Sequence, residues 1–186
     1  MDRIRTCLEL LMIADAAHEA GDFGMAKICW EQAAELGDVE AMYNLGVLAR
    51  EAGFLETAKS RWEQAAELGD ASAMFNLASE AHEVGDLKAA QSWYQRAAEL
   101  GHDDAMNLLG LLAQEVGDIK AAKSWLKQAA DLGNAWAMNN LGNLAQEVGD
   151  PKAAKSWWEQ AAELGHVEAM NLLGEIARDP GDPKAT

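Results

Sequence analysis

A chain of 186 residues with a formal net charge of −16 and a pI near 4.5 is a poor partner for a phosphate backbone, which excludes nucleic-acid binding as its business. Its 3 prolines and alanine-rich hydrophobic content argue against a sheet-and-turn fold and for closely packed helices. No apolar run approaches the ~20 residues that cross a membrane, and Cys7 and Cys29 form neither a disulfide framework nor a metal-ligand spacing, so a reducing, cytoplasmic setting is the default.

The whole chain is ruled by a period of 32 residues. One glycine recurs at Gly21, Gly53, Gly85, Gly117, Gly149 and Gly181, followed by aspartate everywhere except at Phe54, and a second recurs at Gly37, Gly69, Gly101, Gly133 and Gly165. A period in this range marks a stacked array in which each repeat buries its apolar face against its neighbours. The expected organisation is a single repeat domain over 6–186, with repeats at about 6–37, 38–69, 70–101, 102–133, 134–165 and an incomplete 166–186. At the N-terminus, the run from Cys7 to Ile13 is interrupted by Glu9, and Ile13-Ala14 stands in register with Leu45-Gly46. That register makes it the first repeat rather than a targeting segment.

Each repeat reads as two helices. In the second repeat, Ala41, Met42, Leu45, Leu48, Ala49 and Ala52 follow a helical spacing that Gly53 ends. A second helix follows from about Leu55 to Leu68, with Ala58, Trp62, Ala65 and Ala66 inward, and Asp70 is placed to cap the next one. Later first helices are preceded by His102, Asn134 and His166, of which asparagine is the better cap. The last first helix runs from about Val167 to Ala177, and Asp182 to Ala185 repeat the register of Asp150 to Ala153, so the chain stops in the first turn of a further helix. That leaves the flank of Leu173, Ile176 and Ala177 uncovered, and the expectation is either self-association through this open end or a chain truncated from a longer one.

Two columns set the packing. One is Ile13, Leu45, Leu77, Leu109, Leu141 and Leu173; beside it run Ala14, Gly46, Ala78, Gly110, Gly142 and Gly174. A helical glycine costs ~1 kcal/mol relative to alanine, so its recurrence predicts an approach too close for a side chain. The large residues Trp30, Trp62, Tyr94, Leu126 and Trp158 are the expected fillers on the second helices.

The succession of Leu-Gly, Gly-Asp, and then alanine, aromatic and alanine resembles the tetratricopeptide family. The joint AAELGHVEAMNLLG and the doublet Trp157-Trp158 are closer to its Sel-one-like repeat (SLR) branch. The resemblance implies an all-α, right-handed α-solenoid of antiparallel helix pairs whose first helices line a concave groove. It also implies a non-enzymatic adaptor without cofactor or metal. The repeat is shorter than either family norm, and the tyrosine expected one turn after Leu-Gly is alanine at Ala49, Ala81, Ala113, Ala145 and Ala177. Those departures point to a changed pitch and a tighter inter-helix contact.

No catalytic constellation emerges from the spacing of His18, His82, His102 and His166, none of which has a partnered nucleophile. The binding candidates lie on the first helices. One column reads Tyr43, Phe75, Asn107, Asn139, Asn171, and its neighbour reads Asn44, Asn76, Leu108, Asn140, Leu172. Asparagine is a poor helix former, so its accumulation asks for a reason: its amide either pairs with the backbone of an extended ligand or bonds to neighbouring helices. Arg50 lies on the same face. Trp136 stands where other repeats have Glu40, Ser72, Asp104 and Glu168, as an anchor for a partner or a cover for a neighbour. Glu80, in the place of Leu48, Leu112 and Leu144, either recognises a basic group or sits at the rim, the second being the expectation. The groove set is therefore Tyr43, Asn44, Arg50, Phe75, Asn76, Asn107, Trp136, Asn139, Asn140 and Asn171. The expected partner is a protein or peptide, neutral or basic; the alternative is a regulatory segment of a larger enzyme or signalling protein with no ligand of its own.

Overall fold

The computed structural model describes residues 2–178, among which there are eleven helices and no strand. They are α1 Asp2–Glu19, α2 Phe23–Glu35, α3 Val39–Glu51, α4 Leu55–Glu67, α5 Ala71–Glu83, α6 Leu87–Glu99, α7 Asp103–Glu115, α8 Ile119–Asp131, α9 Ala135–Glu147, α10 Pro151–Glu163 and α11 Val167–Arg178. Odd-numbered helices are the first helices of the repeats. The described residues gather into two compact units that divide between Leu100 and Gly101. Within the first (α1–α6) and within the second (α7–α11), each helix packs on its neighbours in the chain, giving an all-α stack of hairpins. Gly181 and the Asp182–Ala185 match lie outside the described residues.

The pair α3–α4 shows how the sequence makes a hairpin. Ala58, Trp62, Ala65 and Ala66 are buried in α4 at the spacing of one helical stripe, while Glu56, Lys59, Glu63 and Glu67 stay exposed. The facing stripe of α3 is Ala41, Leu45, Gly46 and Ala49. Gly53 and Gly69, at φ +80° and +92°, close the two helices in a region that side chains resist.

N-caps follow the sequence closely. Asp38, Asp70 and Asn134 accept from the N–H of Ala41, Ala73 and Ala137 at 2.8, 2.6 and 2.8 Å. His102 and His166 cap too, through Nδ1, but at 3.3 Å from Ala105 and Ala169, so they are the longer-range caps expected of them. Phe54 occupies the N-cap of α4 with no side-chain bond, at φ −90° and ψ 69°, against −80° and 73° for the capping Asp86 of α6. The backbone is already shaped for an aspartate. Phe54→Asp should therefore stabilise the chain by about 0.5–2 kcal/mol, read as a raised unfolding midpoint, with Phe54→Ala giving no such rise.

At Gly46, Gly110 and Gly142 the glycine column records a side-chain intrusion, whereas at Gly174 only Arg178 Nη2 would come within 4 Å, at 3.7 Å. A Cβ on Gly46 would fall inside the indole of Trp62, and one on Gly142 inside that of Trp158. At Gly110 the neighbour is Leu126, whose Cγ would lie 2.6 Å away. The indole nitrogens fare differently. Trp158 Nε1 donates to Asn143 Oδ1 at 3.1 Å, whereas Trp62 Nε1, with Val47 at the equivalent place, is buried without a partner.

Candidate functional site

The first-helix residues singled out from the sequence separate into two kinds. Several form a lateral ladder between consecutive first helices of one unit. In the second unit, Asn140 Nδ2 of α9 donates to Asn107 Oδ1 of α7 at 2.9 Å, and Asn139 Nδ2 donates to Glu168 Oε2 of α11 at 3.2 Å. Asn107 is 9% and Asn139 1% exposed, so of the two roles open to these asparagines, bonding to a neighbouring helix is the one these side chains perform. Gln114 extends the same ladder to Glu147 at 3.0 Å. In the first unit, Arg50 Nε meets Glu80 at 2.7 Å and its Nη2 meets Glu83 at 3.0 Å. Arg50 is thus committed to two carboxylates, and Glu80 belongs to an ion pair rather than standing as a rim residue. Cys7 makes the corresponding joint between α1 and α3, its Sγ donating to Asp38 Oδ2 at 3.5 Å. Burial first, and then the Asp38 charge, push its thiol above the ordinary cysteine range.

The remaining residues line surface depressions. Tyr43, Asn76 and Arg50 border one of ≈ 480 Å³ with Val47 and Trp62. Asn44 borders another of ≈ 320 Å³ with Asp15, His18 and Trp30. Phe75 turns to its own hairpin, with its ring 5.7 Å from that of Tyr94 on α6. Trp136 and Asn171 share a third depression, of ≈ 560 Å³, with His166, Glu168, Leu164 and Val167.

This third place joins an exposed aromatic to a buried polar ring. Trp136 is 61% exposed, yet its ring meets His166 edge to face, centroids 4.4 Å apart and planes at 89°. Trp136 therefore covers a neighbour while most of its own surface stays open. His166 is 7% exposed, and its Nε2 has no hydrogen-bond partner. Reading the sequence for caps alone passed over His166 and Glu168. The signal that could have found His166 is the repeat itself: one repeat earlier, Asp104 and Asn134 hold the positions of Trp136 and His166, and Asn134 Nδ2 donates to Asp104 Oδ1 at 2.8 Å. His102, Asp103 and Asp104 bring ligand atoms within 4.8 Å of one another. Their geometry serves the joint instead, since Asn134 also donates to Asp103 at 2.9 Å and His102 Nδ1 caps α7.

Residues 18–38, 39–57 and 71–102 match the Sel1 repeat, and residues 103–132 and 134–171 match tetratricopeptide repeats. The chain belongs to the Sel1 and tetratricopeptide repeat proteins. The fold of this chain is similar to that of a protective antigen of uropathogenic Escherichia coli strains displaying an SLR fold, at 29% identity and a TM-score of 0.80. The match covers 91% of this chain but 41% of the antigen, so the chain spans less than half of that relative. A Sel1 repeat protein from Oxalobacter formigenes is similar in fold at 23% identity and a TM-score of 0.81, over 96% of this chain and 84% of its own. No curated protein matches the chain. Repeat proteins of this kind are generally protein-interaction scaffolds, and neither matched repeat defines an enzyme family. Among the described residues no helix is long and apolar enough to cross a membrane.

Proposed function

We propose that this Sel1-type protein is a non-enzymatic scaffold that holds an extended segment of a protein partner against the exposed side of its first helices. The observation that carries the reading is Trp136: a large aromatic, 61% exposed, standing over a depression that it shares with the exposed amide of Asn171. Aromatic anchors in preformed hollows supply much of the energy of protein recognition. The lateral ladder adds rigidity, because first helices tied by Asn140–Asn107 and Asn139–Glu168 need no ordering on binding. In the first unit, the depressions bordered by Tyr43 and Asn76 and by Asn44 are separate contact places of the same kind. The net charge of −16 favours a neutral or basic partner and should make its association rate fall with added salt.

The test begins with a partner captured from a lysate of the source organism and then purified. Its affinity is measured for wild type, for Trp136→Ala with Asn171→Ala, and for an outer-face control, Lys127→Ala with Glu159→Ala, whose residues are exposed on second helices. The first pair should weaken binding by ~2 kcal/mol or more, the threshold of an anchor residue, and the control should leave it unchanged. Equal binding by all three would remove the first helices from consideration and turn attention to the outer tryptophans Trp93, Trp125 and Trp157.

A further inference from the structure

We infer that the depression between α9 and α11 is a subsite for an arginine side chain of the partner segment, with Trp136 as its stacking surface, Glu168 as its counter-charge and His166 as a donor to the adjacent backbone carbonyl. The inference rests on the scaffold reading and names the chemistry of one place within it.

The first observation is a break in the repeat. Position 136 is Glu40, Ser72, Asp104 or Glu168 in the other repeats, and where Asp104 stands, the joint is closed by a hydrogen bond from Asn134 at 2.8 Å. At Trp136–His166 both partners are aromatic, and the joint is left incomplete. The cap fixes why. His166 Nδ1 accepts from the Ala169 N–H, so the neutral ring carries its proton on Nε2. That N–H is buried in a residue 7% exposed and has no acceptor. A buried donor without an acceptor is a standing free-energy cost that an incoming carbonyl oxygen relieves. Its cover, Trp136, is mostly exposed and can turn aside with little loss of buried contact.

The second observation is the charge of the place. Glu168 and Asn171 line it, both are exposed, and no lysine or arginine does. Glu168 spends Oε2 on Asn139, at 3.2 Å. A guanidinium suits this setting better than an ammonium because its plane stacks on an indole while its edge pairs with a carboxylate. Leu164 and Val167, both exposed, flank the path of its methylene stem.

The probe is the blocked peptide acetyl-Gly-Gly-Arg-Gly-Gly-amide, titrated into ¹⁵N-labelled full chain and followed by amide and indole N–H shifts. Citrulline and glutamate versions of the peptide serve as comparisons. The arginine peptide should shift the Trp136 indole and the amides around His166 and Glu168 saturably. Citrulline should bind about two- to fivefold more weakly, the scale of one exposed cation–π contact, and glutamate should give no saturable shift. Trp136→Ala should abolish the saturable shifts, and Glu168→Gln should weaken them. His166→Ser keeps a good N-cap residue but has no N–H to offer where Nε2 stands; it should fold normally and bind more weakly. Shifts scattered alike over Glu40, Glu83 and other acidic residues, and unchanged in Trp136→Ala, would reduce the effect to net charge and overturn the inference. Absence of arginine binding in a protein whose purified partner still depends on Trp136 would sink this subsite while leaving the scaffold reading intact; a partner indifferent to Trp136 would sink both.

Discussion

Replacing Trp62 by alanine should lower the stability of the first unit by about 3–5 kcal/mol, the cost of removing a fully enclosed aromatic side chain. Trp62 is 1% exposed, its ring fills the space that Gly46 leaves on α3, and Ala58, Ala65 and Ala66 beside it are too small to collapse into the void. Its indole N–H has no partner, so the loss is one of packing with no hydrogen bond to subtract. A repeat array can unfold in parts, and a single melting midpoint can hide where the loss falls. Hydrogen exchange resolves it: protection should drop in α3 and α4 and persist in α7 to α11. An unchanged exchange pattern in α3 and α4 would show that the ring is not part of the core.

Gly142→Leu should be nearly as damaging, by about 1–3 kcal/mol or more from overpacking. The Cβ alone would enter the indole of Trp158, and that ring is held in place by its bond to Asn143 at 3.1 Å. Helix propensity works in the opposite direction, since leaving glycine for a good helix former gains up to ~1 kcal/mol. Sterics should win because a rigid ring cannot step aside. Gly110→Ala provides the graded comparison. Its neighbours are the buried Leu126, with Cγ at 2.6 Å from the added carbon, and the Ala122 carbonyl oxygen at 3.3 Å; the leucine can yield more than a fused ring, so the cost should be smaller than for Gly142→Ala. Denaturant unfolding of the three variants tests the order; equal midpoints would mean that the glycines are there for some reason other than their aromatic neighbours.

The hairpins were legible because their causes are local. Alanine and leucine at helical spacing, a glycine at φ +80° or +92° to stop each helix, and an aspartate or asparagine to start the next are all properties of a few consecutive residues. Their recurrence every 32 residues multiplied a weak local signal into a strong one. Even the steric role of Gly46 and Gly142 could be read from the residue type, although the object that excludes a side chain proved to be an indole on the second helix.

What the repeat by itself determined, then, is the helix pair, its caps and its buried columns. The use of each polar side chain on the first helices was decided by the tertiary structure. For Asn107, Asn139 and Asn140 a ligand-facing and a helix-bonding role stood equally open, and Arg50 was set beside them, because nothing along one helix supplies them with partners. Their partners are Asn140, Glu168, Asn107 and the Glu80–Glu83 pair, on the next or preceding first helix and about one repeat away in the chain. Hydrogen bonding is short-ranged and directional, so whether an amide faces a neighbour or lies open depends on the spacing and rotation of stacked helices, which local propensity does not encode. The same holds for Trp136. Its break with the repeat was visible in the sequence, but the buried and unpartnered nitrogen of His166 beneath it exists only because stacking brings two residues thirty positions apart face to edge.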